Sequence, residues 1–338
     1  MSVTQNSPEA MKAKLAAPAA PAQSVSTGSI LKGYIAIARP DHWVKNVFMF
    51  IGTAAAFVIH PQALAWSAAP LFLLGLAATC LVASSNYVLN EILDADHDAQ
   101  HPEKKLRPLA SGLLSRRVAY VEWIAVGAAG LLLAWQVNRP FFFCALWLWV
   151  MGVIYNVPPI RSKEAPIVDV LSEAVNNPIR FLLGWFAVGV LLFPPSSLLL
   201  GYWFLGAFFM AGKRLAEYRE IGDPAVAAAY RKSFGWYTQE KLIVTMLSYA
   251  CGFMFFFAVI MTKYHPELIL SVPFLMILMG YVTKLTFEPD SIVQNPEKLF
   301  TRPLFLAYGL FCSALLLFLA LIRIPGIRTF LGLEGPSW

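Results

Sequence analysis

Charge is scarce in this chain. Only 14% of its 338 residues are Asp, Glu, Lys or Arg, against about 25% in a soluble domain, and 58% are hydrophobic. That balance excludes an ordinary pair of soluble domains, which the length alone would allow. Cysteine is nearly absent. Cys80, Cys144, Cys251 and Cys312 each lie in an apolar stretch, with no CxxC pair and no Cys/His cluster, so neither a disulfide framework nor a zinc site is expected. The N-terminus also lacks the apolar core, roughly 7–15 residues long, of a signal peptide. Residues 1–34 are rich in Ala, Pro and Ser and are expected to form a disordered cytoplasmic tail.

What the chain does have is a succession of long apolar runs. A helix needs about 20 apolar residues to cross the hydrocarbon. That ruler gives nine candidates, near 43–60, 69–93, 117–137, 140–156, 166–192, 195–216, 240–262, 267–287 and 303–323. The expected fold is all-α, a polytopic bundle of nine transmembrane helices over 35–325, with 326–338 as a short C-terminal tail. The net charge of +6 does not point to nucleic acid, because the basic residues sit between the apolar runs. With the N-terminus inside, the inner loops collect Lys104, Lys105, Arg107, Arg161, Lys163, Lys213, Arg214, Arg219 and others. The opposite side has only Arg139, Lys263, Arg323 and Arg328. This asymmetry puts the N-terminus in the cytoplasm, the C-terminus outside, and the polar chemistry at the cytoplasmic face of the cell membrane.

Three polar clusters interrupt the apolar pattern. The first is Asn90-Glu91-Ile92-Leu93-Asp94-Ala95-Asp96-His97-Asp98, at the end of the second span. Asn90, Asp94 and Asp98 are four residues apart and share one helical face. Carboxylates so close together need a compensating cation, and Mg²⁺ suits a few carboxylates shared with substrate phosphate oxygens. A solvated helix end is the plainer reading, but it leaves Asn90 and Glu91 unexplained a turn deeper, where polar groups usually line a functional cavity. Lys104, Lys105 and Arg107 follow, as candidates to neutralise phosphate charge.

The second cluster lies in the fifth span. Asp169, Glu173, Asn176 or Asn177, and Arg180 recur three or four residues apart along one stripe, and an arginine in mid-helix must face a wet cavity or an acidic partner. The Pro-rich segment before it carries Tyr155, Arg161 and Lys163. The third cluster ends the sixth span with Lys213, Arg214 and Glu217. Near the first span, Trp43 is expected to be an interface anchor, and Lys45 is a further functional candidate.

These residues resemble the signatures of the UbiA superfamily of intramembrane transferases over about 35–325. Asn90-Glu91-x-x-Asp94-x-x-x-Asp98 is similar to its first Asp-rich signature, with Glu in the second position. Asp169-x-x-x-Glu173 is similar to the second, with Glu in place of the final Asp. The resemblance implies a nine-helix bundle, Mg²⁺, a diphosphate donor and a lipid acceptor reached from the bilayer. Within the superfamily the chain resembles the decaprenyl-phosphate phosphoribosyltransferase branch through Trp43-Val44-Lys45-Asn46, residues 90–112, Gly212-Lys213-Arg214-x-x-Glu217 and Asn295-Pro296-Glu297. Residues Tyr155 to Arg161 resemble the prenyl-transferring branches instead.

On that resemblance Asn90, Asp94 and Asp98 are expected to bind Mg²⁺ and diphosphate, with Asp169 and Glu173 as a second metal or ribose-hydroxyl site. Lys45, Arg107, Arg161, Lys213 and Arg214 are expected to contact phosphate. Glu91, Lys104, Lys105, Tyr155, Lys163, Asn176, Asn177, Arg180 and Glu217 are expected to line the substrate site. Three readings stay open at this point: phosphoribosyl transfer to a polyprenyl phosphate, prenyl transfer to an aromatic or other acceptor, and a transporter.

Overall fold

The computed structural model describes residues 27–99, 104–289, 291–294 and 302–333. These residues form helices and connecting turns, and no strand occurs among them. The helices are α1 (Thr27–Ile37), α2 (Phe48–Ile59), α3 (Ala68–Asp98), α4 (Arg116–Val137), α5 (Arg139–Asn156), α6 (Val168–Ala174) and α7 (Asn176–Phe186). They continue with α8 (Ser196–Ile221), α9 (Pro224–Tyr230), α10 (Gln239–Lys263), α11 (Val272–Leu285), α12 (Pro303–Leu321) and the short α13 (Ile327–Phe330). The all-helical expectation therefore holds.

Seven helical segments among the described residues are long and apolar enough to cross a membrane: Gly28–Ile59, Ala68–Asp98, Arg116–Val137, Arg139–Asn156, Gln239–Lys263, Pro266–Leu285 and Pro303–Leu321. The two other predicted spans are the ones that carry the second and third polar clusters. The run 166–192 is interrupted, and 195–216 lies within α8, which ends in a charged turn. Residues 27–34, expected to belong to the tail, are instead the first turns of α1, because Ile30, Tyr34 and Ile37 pack against Val88, Ile92, Leu114 and Ala119. Residues 1–26, 100–103, 290, 295–301 and 334–338 fall outside the description, and with them His101 to Glu103 and the Asn295-Pro296-Glu297 segment.

Local sequence sets several of the ends. Asn138 caps α5 by accepting from the Phe141 N–H at 2.9 Å, and it ties that end to α7 by donating to the Phe186 carbonyl at 2.8 Å. Asp223 caps α9, and Gly222, in the left-handed region at φ 72°, lets α8 stop there. Pro178 breaks the fifth span. It has no N–H for the carbonyl of Ala174, so the ladder fails between α6 and α7.

Two large apolar cores organise the bundle, with smaller ones around Ile37 and Val88 and around Phe253 and Leu275. One core joins α2, α3, α4, α5 and α7 around Met49, Val82, Phe141, Leu148, Phe181 and Trp185. The other joins α6, α8, α9 and α10 around Phe208, Leu215, Phe234 and Met246. Outside, large apolar side chains such as Leu73, Leu132, Phe143, Leu247, Phe255 and Leu310 are exposed, as a lipid-facing surface requires. Within the three clusters Glu91, Asp98, Asp169 and Arg214 are buried, while Asp96 is exposed.

Candidate active site

The segment 155–163 joins the two acidic motifs. At its near end, the Tyr155 hydroxyl donates to Glu173 Oε2 at 3.1 Å. At its far end, the Lys163 ammonium reaches back to α3 and donates to Asp94 Oδ1 at 2.6 Å, Asn156 Oδ1 at 2.9 Å and Asn90 Oδ1 at 3.4 Å. Arg161, whose backbone sits in the left-handed region at φ 31°, adds a second contact to Asp94 Oδ1 at 3.1 Å. Burial pushes the Lys163 ammonium below the ordinary lysine range, against the pull of Asp94.

Asp98 is buried and pairs with Arg107 at 2.5 Å. Carboxylates that looked unbalanced in the sequence are thus matched one by one with side-chain cations from the following loops. Glu91 takes a different place. At 2% exposure it accepts from the Leu109 N–H at 3.4 Å, so its carboxylate secures the turn after α3 and does not join Asn90 and Asp94.

The second motif is organised by one arginine. Arg214, 1% exposed, donates to Asp169 Oδ2 at 3.2 Å, Glu173 Oε2 at 2.5 Å and Glu217 Oε2 at 3.2 Å. Asp169 is fully enclosed. Its other partners are the hydroxyls of Tyr237, at 2.8 Å, and Ser233, at 3.1 Å, with Arg231 4.0 Å away. With both oxygens engaged and no exposure, Asp169 has no open position for a metal. Its geometry is that of a residue that positions Arg214.

Ser233, Tyr237 and Arg231 were not singled out in the sequence as site residues. They sit between α9 and α10, in a loop that composition marks only as cytoplasmic and basic. One local sign accompanies them: Ile167, just before α6, adopts φ 69°, a strained value for a β-branched residue, and its N–H donates to the Tyr237 hydroxyl at 2.6 Å.

The remaining candidates distribute around this centre. Lys104 approaches Tyr230, with its ammonium 3.2 Å from the hydroxyl and 4.6 Å from the ring centre. Lys105 is exposed. Lys213 is half-buried and makes no ion pair among the described residues. Asn176 donates to the Glu173 carbonyl at 3.1 Å, and Asn177 packs against Gly206 of α8. Arg180 donates through Nε to Asn46 Oδ1 at 3.1 Å, and Lys45 lies 5.9 Å from the Tyr87 ring centre. Trp43, expected at an interface, donates to Ser84 of α3 at 2.9 Å.

The donor set can be tested against Mg²⁺. Among the described residues no group of three or more His, Cys, Asp or Glu could hold a metal ion. A closed protein cage is therefore absent from them. The Lys163 ammonium, however, shows that Asn90 and Asp94 can converge with Asn156 on one positive charge through oxygen atoms alone. An open set of hard oxygens suits a metal that arrives with a diphosphate and keeps phosphate oxygens and waters as its other ligands. The residues fit the ion in that form.

Fold and site together define a polytopic helical membrane protein with an ionic, oxygen-lined interior. Comparison with known families makes this specific: the UbiA prenyltransferase family model matches residues 47–307. The chain belongs to that family of transferases. It is 29% identical over 218 residues to the decaprenyl-phosphate phosphoribosyltransferase of Mycolicibacterium smegmatis, a match covering 63% of this chain and 65% of that protein. It is 27% identical over 203 residues to protoheme IX farnesyltransferase 2 of Vibrio parahaemolyticus, covering 58% and 68% respectively. A UbiA homolog from Archaeoglobus fulgidus, solved bound to GPP and Mg²⁺, has a TM-score of 0.61 at 21% identity, covering 83% of this chain and 99% of that one. The transporter reading falls away with the family assignment.

Proposed function

We propose that the protein is a Mg²⁺-dependent intramembrane transferase that moves a 5-phosphoribosyl group from phosphoribosyl diphosphate to a polyprenyl phosphate in the bilayer. The observation that carries this reading is the absence of an available general base among the site residues described. The Tyr155 hydroxyl donates a hydrogen bond to Glu173, Glu173 is bound to Arg214, and Asp169 and Glu217 are bound to the same guanidinium. An acceptor that is already an anion needs no base; a hydroxyl acceptor does.

In the reaction the C1–O bond to diphosphate breaks and a C1–O bond to the lipid phosphate forms. Asn90 and Asp94 would hold Mg²⁺, which supplies Lewis-acid stabilisation of the leaving diphosphate. Arg161, Lys163, Lys213 and Arg231 supply positive charge for the rest of it. Arg214 holds Glu173 and Glu217 in place, with Asp169 fixing the guanidinium. Glu173 is left able to accept from a ribose hydroxyl through Oε1. The similarity to a decaprenyl-phosphate phosphoribosyltransferase supports the same choice. A second reading, prenyl transfer from a prenyl diphosphate, draws on the farnesyltransferase relative and on the Tyr155–Arg161 segment. We place the protein in the cell membrane with its N-terminus and site toward the cytoplasm.

The test is donor competition. Membranes containing the protein are incubated with polyprenyl phosphate, Mg²⁺ and either labelled phosphoribosyl diphosphate or labelled prenyl diphosphate. Label should pass into lipid from the first donor, and Asp94→Asn should lower the rate by about 100-fold or more while the protein stays folded. Transfer from the prenyl donor alone would replace this reading by the second.

A further inference from the structure

Arg180 differs from the other arginines of the site. Arg107, Arg161 and Arg214 each meet a carboxylate within 4 Å, and Arg231 lies 4.0 Å from Asp169. Among the described residues Arg180 makes no ion pair. Its Nε donates to Asn46 and its Nη1 to the Asn176 carbonyl at 3.5 Å, which leaves the Nη2 edge without a partner among the described residues. Asn46 is itself 1% exposed and fixed from behind, its Nδ2 donating to Cys80 Sγ at 3.2 Å. The guanidinium is therefore held in one orientation by neutral groups.

Other cations lie on the segment that carries Asn46, whose chain neighbour is Lys45. Arg39 and Lys45 approach the Tyr87 ring at 6.0 and 5.9 Å, and the His42 ring meets it edge-on at 5.0 Å. Of the acidic side chains on these elements, Asp41 is turned outward to His42 and Glu173 is bound to Arg214.

The positions along the helices separate this cluster from the metal-binding residues. Tyr87, Asn90 and Asp94 follow one stripe of α3, so the Tyr87 cluster lies about 4.5 Å along the axis from Asn90 and about 10 Å from Asp94, toward the middle of the helix. Arg180 sits in the same sense on the facing stripe, beyond Glu173 and Asn176. The second stripe thus runs from a carboxylate to the Arg180 cation, while the first runs from Asp94 to Tyr87, which Arg39 and Lys45 approach from the segment before α2. A transfer between two phosphorylated substrates needs two anion sites flanking one reacting carbon, with the metal on the leaving-group side only.

We propose that Arg180, oriented by Asn46 and flanked by Lys45 and Arg39, binds the phosphate headgroup of the lipid acceptor, separately from the donor diphosphate at Asn90–Asp94. This rests on the reading of the function given above and assigns the acceptor's half of that site. The purified full chain in nanodiscs is compared with Arg180→Gln and Arg180→Lys, all checked for thermal melting. Steady-state kinetics should show KM for polyprenyl phosphate raised at least 10-fold in Arg180→Gln, partly restored in Arg180→Lys, with KM for phosphoribosyl diphosphate within two-fold of the parent.

Equilibrium binding of labelled polyprenyl phosphate without donor or Mg²⁺ should fall in parallel. Dephosphorylated polyprenol should bind the parent and Arg180→Gln alike, and inorganic phosphate should compete only weakly. A raised donor KM with an unchanged acceptor KM would overturn the assignment while leaving the transfer reaction intact. If the parent transfers nothing from phosphoribosyl diphosphate, the functional reading fails instead. The binding arm then decides, because equal retention of polyprenyl phosphate by parent and Arg180→Gln sinks the acceptor site on its own.

Discussion

Lys163 and Asp94 show how much a single contact decides. In the sequence Lys163 is one cation of a Pro-rich loop. In the structure it seats on Asn90, Asp94 and Asn156 and is buried enough to hold its proton less tightly than a free lysine. As pH rises through that lowered value the ammonium is lost, and with it a positive charge beside the donor site. The alkaline limb of kcat/KM should therefore begin below the ordinary lysine range of about 10.4. Lys163→Arg should move that limb upward, and a pH–rate profile of both proteins checks it; a limb unchanged by the substitution would assign it to another group. Asp169 makes the opposite point. Its spacing from Glu173 suggested a ligand, yet Arg214, Ser233 and Tyr237 enclose it. Nothing in the local sequence shows this, because the enclosing residues come from α8 and the segment after α9.

At the scale of elements, Pro178 and a pair of glycines shape the site. The break between α6 and α7 sets the angle at which the acidic stripe passes into Arg180. Pro178→Ala would restore the missing N–H and allow a straighter helix. We expect the melting temperature to hold or rise while kcat/KM falls about 10-fold, since the facing groups must meet within a fraction of an ångström. Differential scanning fluorimetry alongside kinetics separates the two effects.

Where α2 crosses α7, Gly52 lies against the Phe181 carbonyl and Gly184 against the Met49 carbonyl, so a Cβ at either position would overlap backbone oxygen. Thr53 locks the crossing by donating to the Gly184 carbonyl at 2.9 Å. Small residues allow this approach, as they do at other close helix contacts in membranes. Gly184→Ala should cost about 1–3 kcal/mol and lower the melting temperature. Because α7 carries Arg180, loosening of the acceptor site should accompany it.

For the molecule as a whole, topology is the statement most open to a direct check. Single cysteines replacing Lys105 and Arg323 should react with an impermeant maleimide from opposite sides of intact cells or inverted vesicles, Lys105→Cys from the cytoplasmic side. Labelling of both from one side would refute the proposed orientation.

The hydropathy pattern determined by itself that the chain is a helical membrane bundle, because lipid leaves a backbone no other way to satisfy its hydrogen bonds in a long apolar run. Period and spacing likewise placed Asn90, Asp94, Glu173 and Arg180 on helical stripes, since residues three or four apart share a face whatever surrounds them. Only the tertiary structure decided which stripes face each other and which charges neutralise which. That is why the cations matched to these carboxylates, Arg107, Arg161, Lys163 and Arg214, could not be assigned from the sequence, and why Ser233 and Tyr237 went unseen. Ion pairing depends on distance through space, and the partners lie far apart along the chain. Arg180 stands out only after this matching, as a buried-stripe arginine that meets no carboxylate among the described residues.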